Sequence, residues 1–168
     1  MTIIIYPTDT VYGIGCSIND EDAVKKVFEI KKRSLLLPLS VAFHDIEQLS
    51  EYAVLDSRQT EFIRENWNKG TTFLVGKNEK IPDIVTAGSE TIGVRIPDSH
   101  EVRDLIEEFG PIVTTSANIS GEKTPASFEE LNIDIVKKAD LLVKGKCKLG
   151  KASVIWDLTV EPYMVVRN

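Results

Sequence analysis

Residues 92–115, IGVRIPDSHEVRDLIEEFGPIVTT, decide the fold class of this chain. Runs of apolar residues at 92–96 and 112–115 predict two buried strands. Between them, 99–109 has a helical pattern, and Gly110-Pro111 supplies the residues that end a helix. Strands that alternate with helices in this way are typical of α/β proteins.

The same alternation extends to both sides of this stretch. It predicts further strands at 3–6, 38–43, 71–75, 140–143, 153–157 and 163–167, helices at 19–32, 45–52, 57–67 and 128–138, and a loop at 7–15. Ser127 and Glu130 form a capping-box pattern for the helix at 128–138. The last two strands are joined by 158–162 alone, which is too short for a helical crossover, so they should pair antiparallel. We therefore expect one α/β domain over 1–168, with a twisted mixed parallel and antiparallel sheet, flanking helices and no second domain.

Composition narrows the class of protein. The 168 residues are 42% hydrophobic and carry a formal net charge of −6, which argues against a protein whose main task is to grip nucleic acid. Cys16 and Cys147 belong to no Cys/His cluster, so we expect reduced thiols and no zinc site. No signal-peptide pattern and no apolar run long enough to span a membrane is present. These features predict a cytoplasmic protein without membrane contact.

Four polar clusters lie in predicted loops or at strand ends, where functional groups are commonly displayed. They occupy 7–15, 31–33, 89–97 and 114–121. The first holds two threonines, an aspartate and two glycines, and fits a capped turn or a ligand-binding loop equally well. The cations of the second fit a solvated charge run at a helix end or a phosphate clamp. The hydroxyl and amide groups of the fourth fit a plain turn or a pocket wall.

Arg95 is the most informative single residue of the third cluster, because it stands among apolar strand residues. An unpaired buried arginine is costly, so it needs an anionic partner. Either a carboxylate of the protein or a carboxylate of a ligand meets that need.

Taken together, the clusters resemble the YrdC-like threonylcarbamoyl-adenylate synthase family. The resemblance rests on motifs that occur in the family's order along almost the whole chain. They are Pro-Thr-Asp-Thr-Val-Tyr-Gly at 7–13, Lys-x-Arg at 31–33, Pro-Leu at 38–39, Gly-Val-Arg-Ile-Pro at 93–97, Thr-Ser-Ala-Asn-Ile-Ser-Gly at 115–121 and Ser-Val-Ile-x-Asp at 153–157.

The resemblance implies an open α/β fold with a concave ligand cavity and an L-threonylcarbamoyladenylate synthase, which is a nucleotidyltransferase. Its substrates would be L-threonine, bicarbonate and ATP, with Mg²⁺ expected on the phosphates. The products would be threonylcarbamoyl-AMP and pyrophosphate. A downstream tRNA threonylcarbamoyl-transferase protein would then use the intermediate to modify tRNA.

The resemblance also implies roles for particular residues. Threonine contacts fall on Thr10, Arg95 and Thr114, and Arg95 would pair with the amino acid carboxylate. Nucleotide contacts fall on Arg33, Thr91, Ser116, Asn118, Thr124 and Arg167, and Lys31 and Arg33 act as the catalytic cations at the phosphates. The resemblance assigns no metal ligand to the protein.

The chain departs from the family pattern at several positions. Leu37 stands where a polar residue that contacts nucleotide is usual, and Ala42 stands where a histidine often ends the strand, with His44 two residues further on. These departures favour an alternative, a YrdC-like protein that binds RNA or a nucleotide without synthase activity. A carbamoyl-transfer partner like the same domain in hydrogenase-maturation proteins is a third interpretation.

Overall fold

The computed structural model describes all residues from Met1 to Asn168. Ten strands are present: β1 (Ile4–Pro7), β2 (Tyr12–Gly15), β3 (Ser40–Ala42), β4 (Ala53–Val54), β5 (Thr71–Lys77), β6 (Thr91–Arg95), β7 (Ile112–Ser116), β8 (Leu141–Leu142), β9 (Val154–Asp157) and β10 (Met164–Arg167). The helices are α1 (Glu21–Lys31), α2 (Ile46–Ser50), α3 (Ser57–Asn66), α4 (Asp83–Thr86), α5 (His100–Phe109) and α6 (Ile133–Val136), with 3₁₀ turns at Trp67–Lys69 and Phe128–Glu130.

All strands join one mixed sheet in the order β10-β9-β5-β6-β3-β7-β2-β1-β8, and β4 pairs with β5 at one side. β3, β9 and β8 run parallel to β6, β5 and β1 respectively, and the other pairings are antiparallel. The antiparallel pairing of β9 with β10 confirms the prediction from their short connection. The predicted α/β class and mixed sheet are therefore confirmed.

At the centre of the sheet, β3 lies between β6 and β7, the two strands predicted within residues 92–115. β3 pairs parallel with β6 and antiparallel with β7, so β6 and β7 run in opposite directions although α5 connects them. A strand–helix–strand pattern in the sequence thus does not produce a parallel pair here.

The two faces of the sheet differ because side chains alternate along each strand. One face carries the main core, which includes Val41 of β3, Phe73 of β5, Val94 of β6 and Val113 of β7, all fully buried. On the opposite face, α5 packs its Val102, Leu105 and Ile106 against Ile4, Tyr6, Ala42 and Ile112. Because α5 covers only one end of that face, the other end of the same strands is left open.

Local sequence signals explain most helix boundaries. The Asp20, Asp45 and Ser99 side chains accept hydrogen bonds from backbone N–H groups of the first turns of α1, α2 and α5. Such caps satisfy donors that have no partner inside the helix. The predictions placed these three helix starts within a residue or two of the observed ones.

Two segments differ from their predictions. The loop predicted at 7–15 contains β2, which forms a tight hairpin with β1. Gly15 is needed there because a Cβ atom would lie 1.8 Å from the carbonyl oxygen of Val113 on β7. The glycines of this run predict a loop, whereas in the structure they allow close strand packing.

The helix predicted at 128–138 is also wrong. Glu130 accepts from the backbone N–H of Ala126 and pairs with Lys123 instead of completing a capping box. The chain forms the 3₁₀ turn Phe128–Glu130 and then α6, which Asn132 caps. The short elements β4 and α4 were not predicted. No helix of the structure combines the length and the apolar character needed to cross a membrane.

Candidate active site

The open end of the sheet holds a cavity of about 460 Å³. Its floor is made by alternate residues of adjacent strands: Thr72 and Leu74 of β5, Thr91, Gly93 and Arg95 of β6, Ser40 of β3, and Thr114 and Ser116 of β7. Of the residues between them, Phe73, Ile92 and Val94 belong to the main core, whereas Thr115 of β7 lines the cavity as well. Within β5 and β6, period-two alternation therefore separates a cavity face from an apolar core face.

Gly93 lies in the floor of the cavity, and its lack of a side chain leaves space there for a ligand. A Cβ atom at this position would lie 2.8 Å from the hydroxyl oxygen of Ser40. A larger residue at 93 would displace Ser40 and fill part of the cavity.

The turn between β1 and β2 builds one wall of the cavity. The Thr8 hydroxyl donates to the carbonyl of Val11 at 2.7 Å and accepts from the backbone N–H of Thr10 at 3.0 Å. Thr8 and Thr10 also share a hydroxyl hydrogen bond of 2.9 Å. These contacts satisfy the turn internally and hold the Thr10 side chain at the cavity.

Arg95 is anchored to this turn. Its Nη2 donates to Asp9 Oδ1 at 2.7 Å, and its Nη1 donates to Thr10 Oγ1 at 3.0 Å. The partner that a buried Arg95 requires is thus a carboxylate of the protein, so the fold does not need the ligand carboxylate to satisfy the arginine. Burial lowers the pKa of Arg95 and the Asp9 carboxylate opposes that shift. The guanidinium stays protonated because its ordinary pKa lies so far above neutrality.

Lys31 is only 2% exposed and its ammonium is already engaged. Its Nζ donates to the carbonyls of Ser116 and Asn118, the latter at 2.9 Å, and lies 3.4 Å from Asn118 Oδ1. Burial, followed by repulsion from Arg33, lowers the pKa of Lys31 to about 8. These contacts make Lys31 a residue that positions the 116–118 turn, and the catalytic role assigned to it stays a prediction.

Arg33 lies at the cavity just beyond α1. Its Nη2 donates to the carbonyl of Pro38 at 2.8 Å and its Nε to the carbonyl of Leu37 at 3.3 Å. Partial burial lowers the pKa of this guanidinium. Arg33 has no carboxylate partner, so its full charge remains available to an anion.

Arg167 reaches the cavity from β10. Its guanidinium donates to the carbonyl of Ser153 at 2.9 and 3.2 Å, and to the Ser153 hydroxyl at 3.0 Å. Ser153 Oγ in turn lies 2.8 Å from Thr72 Oγ1. The last strand pair is thereby tied to the floor of the cavity.

The structure brings every predicted site residue to this one cavity. Its lining includes Thr10, Lys31, Arg33, Thr91, Arg95, Thr114, Ser116, Asn118, Thr124 and Arg167. Ser116 Oγ donates to Asn118 Oδ1 at 2.5 Å, and Asn118 Nδ2 donates to the carbonyl of Glu122 at 2.7 Å. That these residues line one cavity does not show which ligand each of them binds, so their individual roles stay predictions.

Sequence reasoning missed several hydroxyl groups of the cavity, among them Thr8, Ser40 and Thr72. Ser40 and Thr72 could have been found from their register. Each sits on a predicted strand next to a fully apolar neighbour, Val41 or Phe73, so each faces the side opposite to the core.

The lining contains no aspartate, glutamate, histidine or cysteine. Nor does any group of three or more such residues elsewhere form a potential metal site. Hard cations such as Mg²⁺ prefer oxygen ligands, above all carboxylates and phosphates. A Mg²⁺ ion in this cavity would therefore be held by the phosphates of a bound nucleotide and by hydroxyl or carbonyl groups.

The fold and the cavity together define a class of protein: an open α/β sheet whose cavity is lined by cations and hydroxyl groups, without acidic groups. A family model for Sua5, YciO and YrdC proteins, described as telomere recombination, matches residues 2–168. The chain belongs to the Sua5/YciO/YrdC family.

Three relatives place the chain within that family. A protein of Methanocaldococcus jannaschii, provisionally named a threonylcarbamoyl-AMP synthase, is 36% identical over 167 residues, which is 99% of this chain and 79% of the relative. The structure of Pyrococcus abyssi Sua5 complexed with L-threonine is 34% identical with a TM-score of 0.91, over 99% of this chain and 50% of that one. Escherichia coli YciO is 28% identical with a TM-score of 0.88, over 99% and 82%.

The chain thus spans about half the length of the Pyrococcus abyssi relative, which is itself named a threonylcarbamoyl-AMP synthase. It spans most of the length of the other two relatives.

Proposed function

We propose that this protein condenses L-threonine, bicarbonate and ATP into threonylcarbamoyl-AMP and pyrophosphate, for use in tRNA threonylcarbamoyladenosine modification. The observation that carries the proposal is the shared cavity. Cations and hydroxyl groups from separate segments of the chain line it, and it excludes acidic side chains. Relatives named for this activity, and one whose structure contains L-threonine, support it.

Threonine would bind beside Arg95, Thr10 and Thr114. Asp9 takes one edge of the Arg95 guanidinium, and Nη1 also contacts Thr10. A guanidinium that is fixed in this way loses little entropy when it donates hydrogen bonds to a bound carboxylate. The hydroxyl groups of Thr10 and Thr114 would contact the remaining polar atoms of the amino acid.

ATP would bind near Arg33, Arg167 and the turn from Ser116 to Asn118, with Thr91 and Thr124 as further contacts. The triphosphate needs positive charge without competing carboxylates, and the lining meets that need. Mg²⁺ would enter on the phosphates and supply charge neutralisation.

The chemistry needs positioning more than a protein nucleophile. The neutral threonine amine forms a C–N bond to bicarbonate and water is released, which gives a carbamate. A carbamate oxygen then forms a bond to the α-phosphorus of ATP as the bond to pyrophosphate breaks. Fixed cations stabilise the charge that develops in such phosphoryl transfers. Arg33, which has no carboxylate partner, is placed to do so, and Lys31 holds the neighbouring turn in place.

Pyrophosphate release by the purified chain tests the proposal. Release from ATP should require both threonine and bicarbonate, and liquid chromatography should detect threonylcarbamoyl-AMP. Threonine alone should raise the melting temperature, since a ligand that binds only the folded state stabilises it.

The opposite outcome favours the alternative function. If RNA or nucleotide binds while no threonine-dependent pyrophosphate appears, the chain is a binding protein and not a synthase. A steep loss of RNA binding between two salt concentrations would identify phosphate contacts.

A further inference from the structure

A second cavity of about 280 Å³ lies away from the first, beyond the carboxyl ends of β3 and β6. His44 follows β3 and Ile96 follows β6, and both line it. The other lining residues come from α2, α3 and its 3₁₀ extension, and α5, and from the residue that caps α2: Asp45, Ile46, Glu47, Arg64, Trp67 and Arg103. In open α/β sheets, the crevice outside the carboxyl ends of parallel strands is a usual place for ligands.

Arg103 is the residue of this cavity that has a buried donor without a partner. Its Nε is buried and has no hydrogen-bond partner. No carboxylate lies within 4.0 Å of its guanidinium, although the chain has an excess of acidic residues. Glu107, one turn further along α5, faces His44 instead, at 3.3 Å.

One contact does hold Arg103 in the cavity. Its guanidinium carbon lies 5.5 Å from the centre of the Trp67 ring. Arg103 is half-buried, and a cation–π contact supplies no hydrogen-bond acceptor for its Nε. The aromatic ring therefore orients the guanidinium and leaves its donors for a ligand.

The other charges of the cavity limit what that ligand can be. Arg64 is neutralised by Glu47 at 3.2 Å, and His44 contacts both Asp45 and Glu107. A doubly charged phosphate would meet repulsion from these carboxylates, whereas a single carboxylate would be tolerated. Ile46, Ile96 and the Trp67 ring supply an apolar wall next to Arg103.

We propose that this second cavity binds a carboxylate that is joined to a flat or branched apolar group. Arg103 pairs with the carboxylate through its planar fork, and the apolar group packs on Trp67 and Ile96. The ligand is either a free small carboxylic acid or the C-terminal carboxylate of a peptide, since both present the same chemistry. The site is separate from the ATP and threonine contacts proposed above.

Tryptophan fluorescence tests this proposal. The chain contains two tryptophans, so Trp156→Phe leaves Trp67 as the only reporter. Benzoate should quench Trp67, and benzamide, which has the same shape without the charge, should bind at least about tenfold more weakly. Arg103→Gln in the same background should weaken the affinity for benzoate by about tenfold, or about 1.4 kcal/mol. Arg64 is an exposed and paired arginine of the same cavity, so Arg64→Gln should change this affinity less than about threefold.

Two further measurements decide the source of the carboxylate and the independence of the site. A short peptide that ends in a free phenylalanine, compared with its amidated form, shows whether a chain terminus fits. Threonine-dependent pyrophosphate release should be the same in Arg103→Gln as in the parent chain. Three results would each overturn the proposal. Benzoate and benzamide could bind equally well, or Arg103→Gln could bind benzoate as tightly as its parent. Thirdly, benzoate and the free peptide could both fail to bind at about 10 mM.

Discussion

Arg95 and the group formed by Lys31, Arg33 and Arg167 line the same cavity but differ in how their charge is balanced. Arg95 is paired with the buried Asp9 carboxylate. The other three donate only to uncharged acceptors, which are backbone carbonyls and the Asn118 and Ser153 side chains. The charge of Arg95 is thus close to neutralised, whereas the other three cations have no carboxylate partner.

This difference suits the two proposed substrates. A neutralised, rigid guanidinium can orient a singly charged amino acid carboxylate without a large change in the local field. Three uncompensated cations attract a triphosphate, which carries several charges. We therefore propose that charge balance within the protein divides the cavity into a threonine region around Arg95 and a phosphate region around Arg33.

Removing Arg95, the partner of the buried Asp9 carboxylate, gives the largest expected effect. Arg95→Ala leaves Asp9 charged and unpaired, and should lower the free energy of unfolding by about 3–5 kcal/mol. Chemical denaturation measures this directly. In the double variant Asp9→Ala with Arg95→Met, most of the stability should return while the response to threonine stays absent. An Arg95→Ala chain as stable as the parent would contradict the inferred pair.

Arg33→Ala should affect turnover and leave stability almost unchanged. Because Arg33 has no buried counter-charge, its loss should lower kcat/KM for pyrophosphate release by about 100- to 1000-fold. Melting temperature should stay within the range of an ordinary surface substitution. Arg58→Ala, which removes an exposed arginine that pairs with Glu161, is the matched control and should retain activity. Normal turnover in Arg33→Ala would contradict the proposed role of Arg33 at the phosphates.

Lys31→Met tests whether this lysine positions the turn. The substitution leaves carbonyls of Ser116 and Asn118 without their donor, which should cost about 1–3 kcal/mol of stability. The pKa of about 8 also predicts a pH effect. As the pH rises through about 8, the parent chain loses the ammonium, so the ratio of its activity to that of Lys31→Met should fall.

Stability should change in the opposite direction over this pH range. The pKa of Lys31 is lowered on folding from 10.5 to about 8, so between these values the folded state binds fewer protons than the unfolded state. The contribution of Lys31 to stability therefore rises with pH, and a fall in activity would not reflect unfolding. A ratio that stays constant from pH 7 to 10 would show that the charge of Lys31 does not matter.

The smallest effect is expected from salt. Raising the ionic strength from about 0.05 to about 0.5 M should weaken ATP binding several-fold, because partly exposed cations are screened. Threonine binding at the buried Arg95 should change less. Calorimetry of each ligand at both salt concentrations measures the difference, and equal losses would contradict the division of the cavity.

Much of the fold could be predicted from local patterns. Apolar runs located most strands, and capping residues such as Asp20 and Ser99 located helix starts. The two errors arose where contacts outside the predicted pattern overrode it. Gly15 permits a long-range contact with Val113, whereas Glu130 bonds to Ala126 and Lys123, which are four and seven residues away.

The candidate site shows the same limit. Motif order indicated which residues belong together, and all of them line one cavity. It did not show that Asp9 neutralises Arg95 or that carbonyls of the 116–118 turn occupy Lys31. It also gave no sign of the second cavity, whose residues are scattered from His44 to Arg103.

The sequence by itself determined the α/β class, the period-two alternation that gives strands such as β5 and β6 two different faces, and the motif residues that meet in the cavity. Only the tertiary structure decided that β3 separates β6 from β7, that α5 covers one end of the sheet, and which cations are neutralised. The reason is physical: alternation and capping act within a few residues, whereas strand order and ion pairing join groups such as Asp9 and Arg95 that are 86 residues apart.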